Sequence, residues 1–316
     1  MTVSVRAGAS AEATITAPGP LDVGRTLARY RLWGEDPATR VSEGALRRAL
    51  RVDGALRGYL VTWAGPSDAV RLTVTVAGRG TGRALDAAVD ETRRLFGLEF
   101  DLGRFARAVQ ADRVLGPLAR SLHGLRPTLT PRPLEMLVGS ICAQQVNLAW
   151  AFTVRGRLVR RYGDPVTVAG ETVYAFPEPE RLADARVEEL RALQFTRNKA
   201  EYVVELGRRV ASGALDLDGL GKRANDEVIA ALTAVRGLGR WTAEWFLARG
   251  LGRPDACPAG DLGVRKAVGH FYTRGRTPSE PAVRRRARRW GEHRNLATHY
   301  LLAGHRHAPG PAAGSP

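Results

Sequence analysis

The sequence predicts a mainly α-helical protein that carries a smaller N-terminal α+β domain. Two patterns lead to this prediction. In residues 70–76, apolar side chains alternate with polar ones, which is the period of a half-buried β-strand. From about residue 102 onward this alternation fades, and short stretches of helical periodicity recur between prolines and glycines. The strands are therefore expected in the first third of the chain and the helices in the rest.

The N-terminal elements follow from alternation, helical spacing and turn residues. The sequence Gly-Pro-Ser-Asp at 65–68 is a turn between two strand candidates, which favours an antiparallel sheet. Leu85, Val89 and Leu95 lie at the spacing of one helix face. The predicted strands are 13–18, 45–52, 56–63 and 70–76, and the predicted helices are 22–32 and 82–96.

The rest of the chain is predicted as an all-α bundle of short helices with no repeat of fixed period. These helices are expected at 112–123, 132–146, 149–162, 179–193, 197–212, 225–234, 240–250, 262–271, 280–290 and 293–303, whereas residues 164–176 fit neither pattern. We expect an N-terminal domain at 1–104, a helical domain at 105–304, and a disordered Pro/Gly/Ala-rich tail at 305–316.

The charge balance points to a polyanionic partner. The 316 residues include 48 Lys+Arg and 32 Asp+Glu, which gives a formal net charge of +16. A basic excess of this size favours nucleic acid as the partner. Biased genome base composition is an alternative explanation for the preference of arginine over lysine, but it does not explain why basic residues outnumber acidic ones.

Several classes of protein are excluded by composition. The sequence has no apolar run of the roughly 18 residues that would span a bilayer, and its first twenty residues lack the apolar centre of a signal peptide. Its two cysteines, Cys142 and Cys257, are too few for a disulfide framework or an iron–sulfur cluster. We therefore expect a soluble cytoplasmic protein.

The most informative stretch runs from 235 to 243 and reads Val-Arg-Gly-Leu-Gly-Arg-Trp-Thr-Ala. Gly237 and Gly239 separate one predicted helix from the next. Glycines permit a tight turn whose backbone N–H groups lie exposed beside the next helix, and such a turn can bind a DNA phosphate without reading sequence. A plain helix–helix turn has the same pattern and is more common, so both interpretations stay open.

An aspartate about twenty residues further on adds a second feature. Asp261 follows the loop Pro-Ala-Gly at 258–260 and opens the next predicted helix. Its ordinary interpretation is an N-cap. A carboxylate at a helix N-terminus is favoured in its charged form, so it could also face an electron-poor sugar carbon. The residues alone leave both roles open.

Together, the Gly-Leu-Gly turn, the Trp-Thr-Ala that follows it and Asp261 resemble the helix-hairpin-helix, loop and aspartate signature of the DNA base-excision glycosylases. Within that superfamily the chain is similar to the alkylpurine enzymes of the 3-methyladenine DNA glycosylase II type. Further segments match in the same order: 143–147 (Ala-Gln-Gln-Val-Asn), 160–163 (Arg-Arg-Tyr-Gly), 176–177 (Phe-Pro), 181–183 (Arg-Leu-Ala) and 199–201 (Lys-Ala-Glu). The resemblance implies a helix-hairpin-helix bundle beside a sheet domain like half of a TATA-binding fold.

The resemblance also implies residue roles. It assigns catalysis to Asp261, and it assigns the wedge that fills the vacated DNA stack to Gln145. The expected substrate-pocket residues are Trp241, Trp245 and Gln144; the expected DNA-binding residues are Gln145, Gly237, Leu238, Gly239, Arg236 and Arg240. Superfamily members that also cut the strand carry a lysine where this chain has Trp241, so the resemblance implies a monofunctional enzyme.

The activity implied by the resemblance is release of alkylated purines from duplex DNA as the first step of base-excision repair. The base would be flipped out of the helix, and an ionised Asp261 would stabilise the positive sugar left by its departure. Damaged double-stranded DNA is the expected partner of a monomeric, nucleoid-associated bacterial protein. No cofactor and no metal site are expected, apart from a monovalent cation that such hairpins hold through carbonyls.

Departures from the family pattern keep other functions open. Arg236 stands in place of a proline, Leu301-Leu302 in place of an aromatic wall, and Arg29-Tyr30 in place of aromatic or aliphatic pocket residues. The same fold could act on an oxidised, deaminated or bulky lesion. A catalytically silent DNA-binding protein is a further alternative. An RNA-binding protein would require aromatic-rich sheet motifs that the sequence lacks.

Overall fold

The computed structural model describes residues 10–78 and 81–307. The strands are β1 (Ser10–Thr16), β2 (Thr39–Ser42), β3 (Ala45–Val52), β4 (Ala55–Ala64), β5 (Arg71–Ala77), β6 (Asp164–Val168) and β7 (Glu171–Ala175). The α-helices are α1 (Val23–Thr26), α2 (Arg29–Leu32), α3 (Gly82–Leu95), α4 (Leu102–Val109), α5 (Leu115–Ser121), α6 (Pro133–Ala143), α7 (Leu148–Tyr162), α8 (Pro179–Ala183), α9 (Val187–Ala192), α10 (Arg197–Ala211), α11 (Asn225–Thr233), α12 (Arg240–Trp245), α13 (Leu262–Tyr272), α14 (Glu280–Ala287) and α15 (Arg294–His307). A π-helical turn, Phe246–Gly250, continues α12.

The predicted fold class is confirmed. Strands β1 to β5 form one antiparallel sheet in the order β1-β5-β4-β3-β2. One face carries Leu46, Val61 and Val74, which are buried in the same core as Leu85 and Ala88 of α3. Alternating side chains on the strands therefore supply an apolar face, and the amphipathic helix α3 covers it.

The hairpin β6–β7 corrects the prediction of an all-α region after residue 102. It occupies most of 164–176, the stretch that fits neither sequence pattern, and it packs on the other face of the sheet through Val168 and Val173. A Cβ atom at Gly58 would lie 2.3 Å from Val168 Cγ2, so only glycine allows this approach. A strand pair from the helical region thus covers the second face of the sheet.

Other elements differ from the prediction where they are short. The prediction missed β2, whose four residues are too few to show alternation, and α4, which begins at the N-cap Asp101. The helices predicted at 22–32 and 179–193 are each two short helices. Helix α15 extends to His307, three residues into the predicted tail, and residues 308–316 lie outside the described residues.

A buried ion network joins the sheet domain to the helical region. The Arg48 guanidinium of β3 lies 2.8 Å from the Glu135 carboxylate of α6, and Arg155 of α7 contacts both Glu135 and Asp36 at 2.7 and 2.5 Å. Burial disfavours the charged carboxyl, but Arg48 and Arg155 hold the pKa of Glu135 below its usual range. Since separating these groups would leave buried charges unpaired, the network fixes the two parts of the chain against each other.

Within residues 10–78 and 81–307, no helix is both long and apolar enough to cross a membrane.

Candidate active site

Asp261 caps helix α13 and also accepts hydrogen bonds from two tryptophans. Its Oδ1 accepts from the backbone N–H of Val264 at 2.9 Å, which is the N-cap bond that the sequence predicted. Its Oδ2 accepts from Trp241 Nε1 at 2.8 Å and from Trp245 Nε1 at 3.1 Å. A carboxylate has about four lone-pair sites, so one remains open for a ligand. The two roles considered for Asp261 are therefore compatible, because capping fixes the side chain and leaves it half exposed.

Trp241 and Trp245 reach Asp261 because they lie four residues apart on α12, where side chains share one helix face. Trp245 is 8% exposed, and Trp241 is half-buried. One face of the Trp245 ring is covered by the Arg249 guanidinium, 4.9 Å from the ring centroid. The indole edges are thus engaged by the carboxylate, and one indole face already has a cationic neighbour.

These three side chains line a cavity of about 230 Å³ between the helical region and α2. Side chains from α6, α7 and α15 complete its wall. The lining consists of Arg29, Tyr30, Asp36, Thr130, Glu135, Met136, Gly139, Ser140, Ala143, Leu148, Ala151, Phe152, Arg155, Trp241, Trp245, Arg249, Asp261, Gly263, Leu302 and Arg306. The structure thus brings the predicted aspartate and both predicted tryptophans into one recess. It is smaller than the roughly 300–1,000 Å³ of common ligand sites, which suits a single planar group.

The predicted glycine turn lies between α11 and α12. Gly237 has a φ of +91°, and a Cβ atom there would lie 2.2 Å from the Tyr202 ring, so both conformation and space require glycine. Leu238 is 3% exposed and anchors the turn in the core. Within the described part of the chain, the N–H groups of Gly237 and Gly239 donate to no protein acceptor. The turn therefore presents free donors suited to an anion.

The carbonyls of this turn are mostly occupied. Val235 O accepts from Leu238 N at 3.0 Å, Gly239 O accepts from Ala243 N at 3.1 Å, and Gly237 O accepts from Gln144 Nε2 at 2.7 Å. Each of these carbonyl oxygens has a second lone pair, so a monovalent cation at this turn stays a prediction. Among the described residues, no cluster of His, Cys, Asp and Glu side chains could hold a metal ion.

Gln144 and Gln145 follow α6 but have different surroundings. Gln144 does not line the cavity, contrary to the predicted pocket role, because its amide binds the Gly237 carbonyl and ties the end of α6 to the glycine turn. Gln145 is exposed, with a left-handed backbone φ of +56° that turns the chain sharply before α7. Exposed Val146, Leu148 and Trp150 follow it. This apolar, protruding surface lies beside the cavity, since Leu148 also lines the recess.

The predicted basic contacts next to the turn are paired with acidic side chains. Arg236 lies 3.1 Å from Glu201 and stacks on the Tyr202 ring at 5.6 Å, and Arg240 lies 2.9 Å from Glu244. Both arginines remain largely exposed, at 68% and 58% of the side chain. The Arg236 pair is largely solvated, so it is weak and leaves the guanidinium available for a phosphate. Glu244 is only 4% exposed and also pairs with Arg284, so Arg240 is held against a buried carboxylate.

Three of the five positions that depart from the family pattern lie at the cavity. Leu302, Arg29 and Tyr30 line it, whereas Leu301 is 1% exposed and packs in the core. Sequence reasoning missed Arg249, Arg306, Phe152 and the ion pair of Arg155 with Glu135. The helical periodicity of 240–250 placed Arg249 four residues after Trp245 and so on the same face, which is the signal that could have found it.

Other chemistry-bearing side chains do not enter the recess. Cys142 is 2% exposed, and burial raises the pKa of its thiol to about 12, so it is a small apolar residue. None of the three lysines lines the cavity among the residues that the structure describes. Lys199 instead donates to the Cys142 carbonyl at 3.0 Å and caps the end of α6.

Comparisons with known proteins identify the family of the chain. A model of the HhH-GPD superfamily of base excision DNA repair proteins matches residues 138–293. The chain is 32% identical over 206 residues to the DNA-3-methyladenine glycosylase of Bacillus subtilis, covering 65% of this chain and 68% of that protein. It is 32% identical over 262 residues to a Mycobacterium tuberculosis protein named probable bifunctional transcriptional activator/DNA repair enzyme AlkA, covering 83% of this chain and 50% of that protein.

A solved structure agrees over almost the whole chain. The 3-methyladenine DNA glycosylase from Archaeoglobus fulgidus superposes with a TM-score of 0.82 at 29% identity, covering 93% of this chain and 98% of that one. The protein therefore belongs to the HhH-GPD superfamily of base excision DNA repair proteins. Within that superfamily, its relatives named above include DNA-3-methyladenine glycosylases from Bacillus subtilis and Archaeoglobus fulgidus. The predicted family resemblance is confirmed.

Proposed function

We propose that the protein is a monofunctional DNA glycosylase that flips alkylated purines out of duplex DNA and hydrolyses the N-glycosidic bond. The observation that carries this proposal is the Asp261 carboxylate, which both indoles hold at the wall of the 230 Å³ cavity. A base stacked inside a duplex cannot reach such a recess, so the nucleotide must leave the stack, at a cost of a few kcal/mol that is least for a damaged base.

Asp261 is proposed to stabilise the sugar as the base departs. Breaking the bond leaves positive charge on the sugar ring, as in glycoside hydrolysis, and a fixed carboxylate oxygen lowers the energy of that charge. Three N–H groups hold Asp261 in one orientation, so little reorganisation is needed during the reaction. The same carboxylate is suited to orient the attacking water or accept its proton.

The absence of a lysine at the recess supports a product that is an intact strand with an abasic site. A Schiff-base mechanism needs an amine that reaches the sugar carbon. Trp241 occupies the relevant position of α12, and within residues 10–78 and 81–307 the cavity wall contains no lysine. Water is therefore the proposed nucleophile.

The surface around the recess supports duplex DNA as the partner. The free N–H groups of the Gly237–Gly239 turn are suited to one backbone phosphate, and exposed Gln145 is suited to fill the gap that a flipped base leaves. Arg285, Arg288 and Arg289 are exposed on and just after α14 and add positive charge without a fixed partner among the described residues. Phosphate contacts of this kind give affinity that falls steeply with salt.

The test is single-turnover base release from N-methylated duplex DNA by the wild type, Asp261→Asn and the matched control Asp101→Asn. Asp101 caps α4 through the same type of bond, at 2.8 Å from Arg104 N, but lies outside the cavity. We expect Asp261→Asn to slow release by about 10²- to 10⁴-fold while binding to an abasic-site analogue persists. Asp101→Asn should keep the wild-type rate. Equal release by all three proteins would remove Asp261 from the mechanism.

A further inference from the structure

The connection between α6 and α7 is short and protrudes from the protein. It consists of four residues, 144–147 (Gln-Gln-Val-Asn), and its two middle residues, Gln145 and Val146, are exposed. In the proposed function, exposed Gln145 is the wedge that fills the gap left by a flipped base. The contacts that hold this connection in place therefore matter for the step in which a nucleotide leaves the duplex.

Gln145 has a backbone conformation that needs support. Its φ of +56° lies in the left-handed region, which residues other than glycine, asparagine and aspartate rarely adopt. Such a conformation costs free energy and persists only where neighbouring contacts impose it. A glycine would adopt the same φ without strain, but it would leave the connection without a side chain that can enter the DNA stack.

The residue before the wedge supplies one of these contacts. Gln144 Nε2 donates to the Gly237 carbonyl at 2.7 Å, which joins the connection to the glycine turn between α11 and α12. At the other end of the connection, the Asn147 side chain accepts from Trp150 N at 2.8 Å and caps α7. Gln145 thus lies between two anchored residues, and the first of them is anchored to the glycine turn.

Helix α10 supports both partners of the bond from Gln144. Lys199 Nζ donates to the Cys142 carbonyl at 3.0 Å and so satisfies a carbonyl at the C-terminal end of α6. Three residues later, the Tyr202 ring packs against Gly237, where a Cβ atom would lie only 2.2 Å from the ring. The end of α6 and the glycine turn therefore rest on one helix, which fixes the distance between them.

The two elements that Gln144 joins act on the same DNA in the proposed function. The Gly237–Gly239 turn presents free N–H groups suited to a backbone phosphate, and Gln145 is suited to the gap in the stack. Removing a base from the stack costs free energy. Phosphate binding can supply that free energy only if the wedge is held at a fixed place relative to the bound phosphate.

We propose that Gln144 is a positioning residue that holds the wedge Gln145 in place relative to the DNA phosphate bound by the glycine turn. This inference rests on the proposed function and gives a role to a side chain that lies outside the cavity lining. Gln144 acts on the step in which the nucleotide leaves the duplex and not on bond cleavage. A base that is already unstacked should therefore be released without its help.

The experiment measures single-turnover release of 7-methylguanine, with protein in saturating excess, from two substrates. In the first the lesion is paired with cytosine in a duplex, and in the second it lies in a bubble of mismatched bases, where unstacking costs least. Gln144→Met removes the donor without adding charge, and Gln144→Glu replaces the donor by an ionised carboxylate that cannot bind a carbonyl. The control is Gln110→Met, which changes an exposed glutamine at the end of α4. Melting temperatures verify that every variant folds.

We expect both Gln144 variants to slow release from the duplex by about fivefold to tenfold, which corresponds to the loss of one hydrogen bond. Release from the bubble should change by less than about twofold. Gln110→Met should match the wild type on both substrates. The fluorescence of 2-aminopurine placed beside the lesion reports unstacking directly, and its rise on binding should be smaller in both Gln144 variants than in the wild type.

A double-mutant cycle tests whether Gln144 acts through the wedge. Gln145→Ala should itself slow release from the duplex more than release from the bubble. With the wedge truncated there is little left to position, so adding Gln144→Met to Gln145→Ala should have almost no further effect on the duplex.

Three results would overturn the inference. Equal slowing on the duplex and the bubble would show that Gln144 acts on the recess or on bond cleavage. A loss from Gln144→Met that stays the same in the Gln145→Ala background would show that Gln144 acts independently of the wedge. The full rate on the duplex for both Gln144 variants would show that the bond to Gly237 is not needed. Failure of the proposed function is distinguishable, because the wild type would then release 7-methylguanine from neither substrate.

Discussion

The two sides of the cavity carry side chains of opposite charge. On one side, a carboxylate is held by two indole N–H groups and a helix N-terminus, so every polar contact of Asp261 is made by a neutral donor. On the other side, four arginines lie among mostly apolar side chains, and within the described residues only Arg155 of these four is paired with acids. The first side is suited to a developing positive charge on a sugar, and the second is suited to hydrogen-bond acceptors on a base.

The two sides also come from different parts of the chain. The proposed sugar chemistry depends on residues of α12 and α13, which lie in the segment that the superfamily model matches. The opposite side, which faces the base in the proposed function and is called the base-facing side, is built partly from α2 of the N-terminal domain, which lies outside that segment.

The largest expected effect comes from the ion network that joins the sheet domain to the helical region behind the cavity wall. Replacing Arg48 by Met would leave the buried carboxylate of Glu135 without its 2.8 Å partner. We expect the free energy of unfolding to fall by about 3–5 kcal/mol, as for other broken buried pairs. Chemical denaturation measures this loss. Arg51→Met, which removes a more exposed pair with Asp164 from the same strand, should cost about 1 kcal/mol or less; equal losses would contradict the structural role of the network.

The next-largest effect is expected on the side of the cavity that holds Asp261. Trp245→Phe keeps an aromatic ring but removes the N–H that donates to Asp261 at 3.1 Å. A hydrogen bond to a charged group is worth about 1.5–3 kcal/mol, so base release should slow by about tenfold to a hundredfold. Trp290→Phe is a matched control, because Trp290 is buried outside the lining of the recess and its Nε1 has no hydrogen-bond acceptor among the described residues. If Trp245→Phe retained the full rate, the indole would serve only as packing.

A smaller effect is expected at the glycine turn, outside both sides of the cavity. Gly237→Ala places a Cβ atom 2.2 Å from the Tyr202 ring at a φ of +91°, so it should lower stability by more than about 1 kcal/mol and weaken DNA binding. Gly239→Ala meets open space and keeps an ordinary φ of −91°, and should be tolerated in the fold. Equal effects of the two substitutions on stability would show that the turn imposes no local constraint.

The smallest expected effect concerns acid and the base-facing side. The pKa of His299 is about 3 in the fold and near 6.5 in the unfolded chain, so the unfolded state binds an extra proton between these values. Stability should therefore fall as pH drops below 6.5, by at most about 1.4 kcal/mol per pH unit from this group. Denaturation at pH 7, 5.5 and 4.5 should show a smaller acid loss in His299→Gln than in the wild type. An identical loss would mean that His299 is not buried in its neutral form.

Local sequence signals were sufficient to predict those elements in which a residue type has a single structural role. Alternation located β5, and Gly237 was recognisable because its turn requires a left-handed backbone. The Asp261 cap was predicted for the same reason, since Asp before a helix accepts a backbone bond. The hairpin β6–β7 was not recognisable, because its burial comes from strands more than a hundred residues away in sequence.

The base-facing side shows the same limit in the site. Nothing in the sequence around Arg29 indicates that its guanidinium lies beside Arg249, because the two are brought together only by the packing of α2 on the helical region. Gln144 shows the opposite error. The family resemblance placed its side chain in the pocket, whereas in the fold its amide donates a hydrogen bond to the Gly237 carbonyl. A residue role that depends on long-range packing, or on the lack of a hydrogen-bond or ion-pair partner, can be recognised only from the three-dimensional structure.

The most direct test is a crystal structure of the protein bound to duplex DNA that contains a cationic abasic-sugar analogue. We expect the analogue to be turned out of the helix, with its charged ring atom about 3–3.5 Å from Asp261 Oδ1, the oxygen that keeps an open lone pair, and Gln145 in the vacated stack. An analogue that stays inside the duplex, or that lies everted against a surface remote from Asp261, would contradict the account.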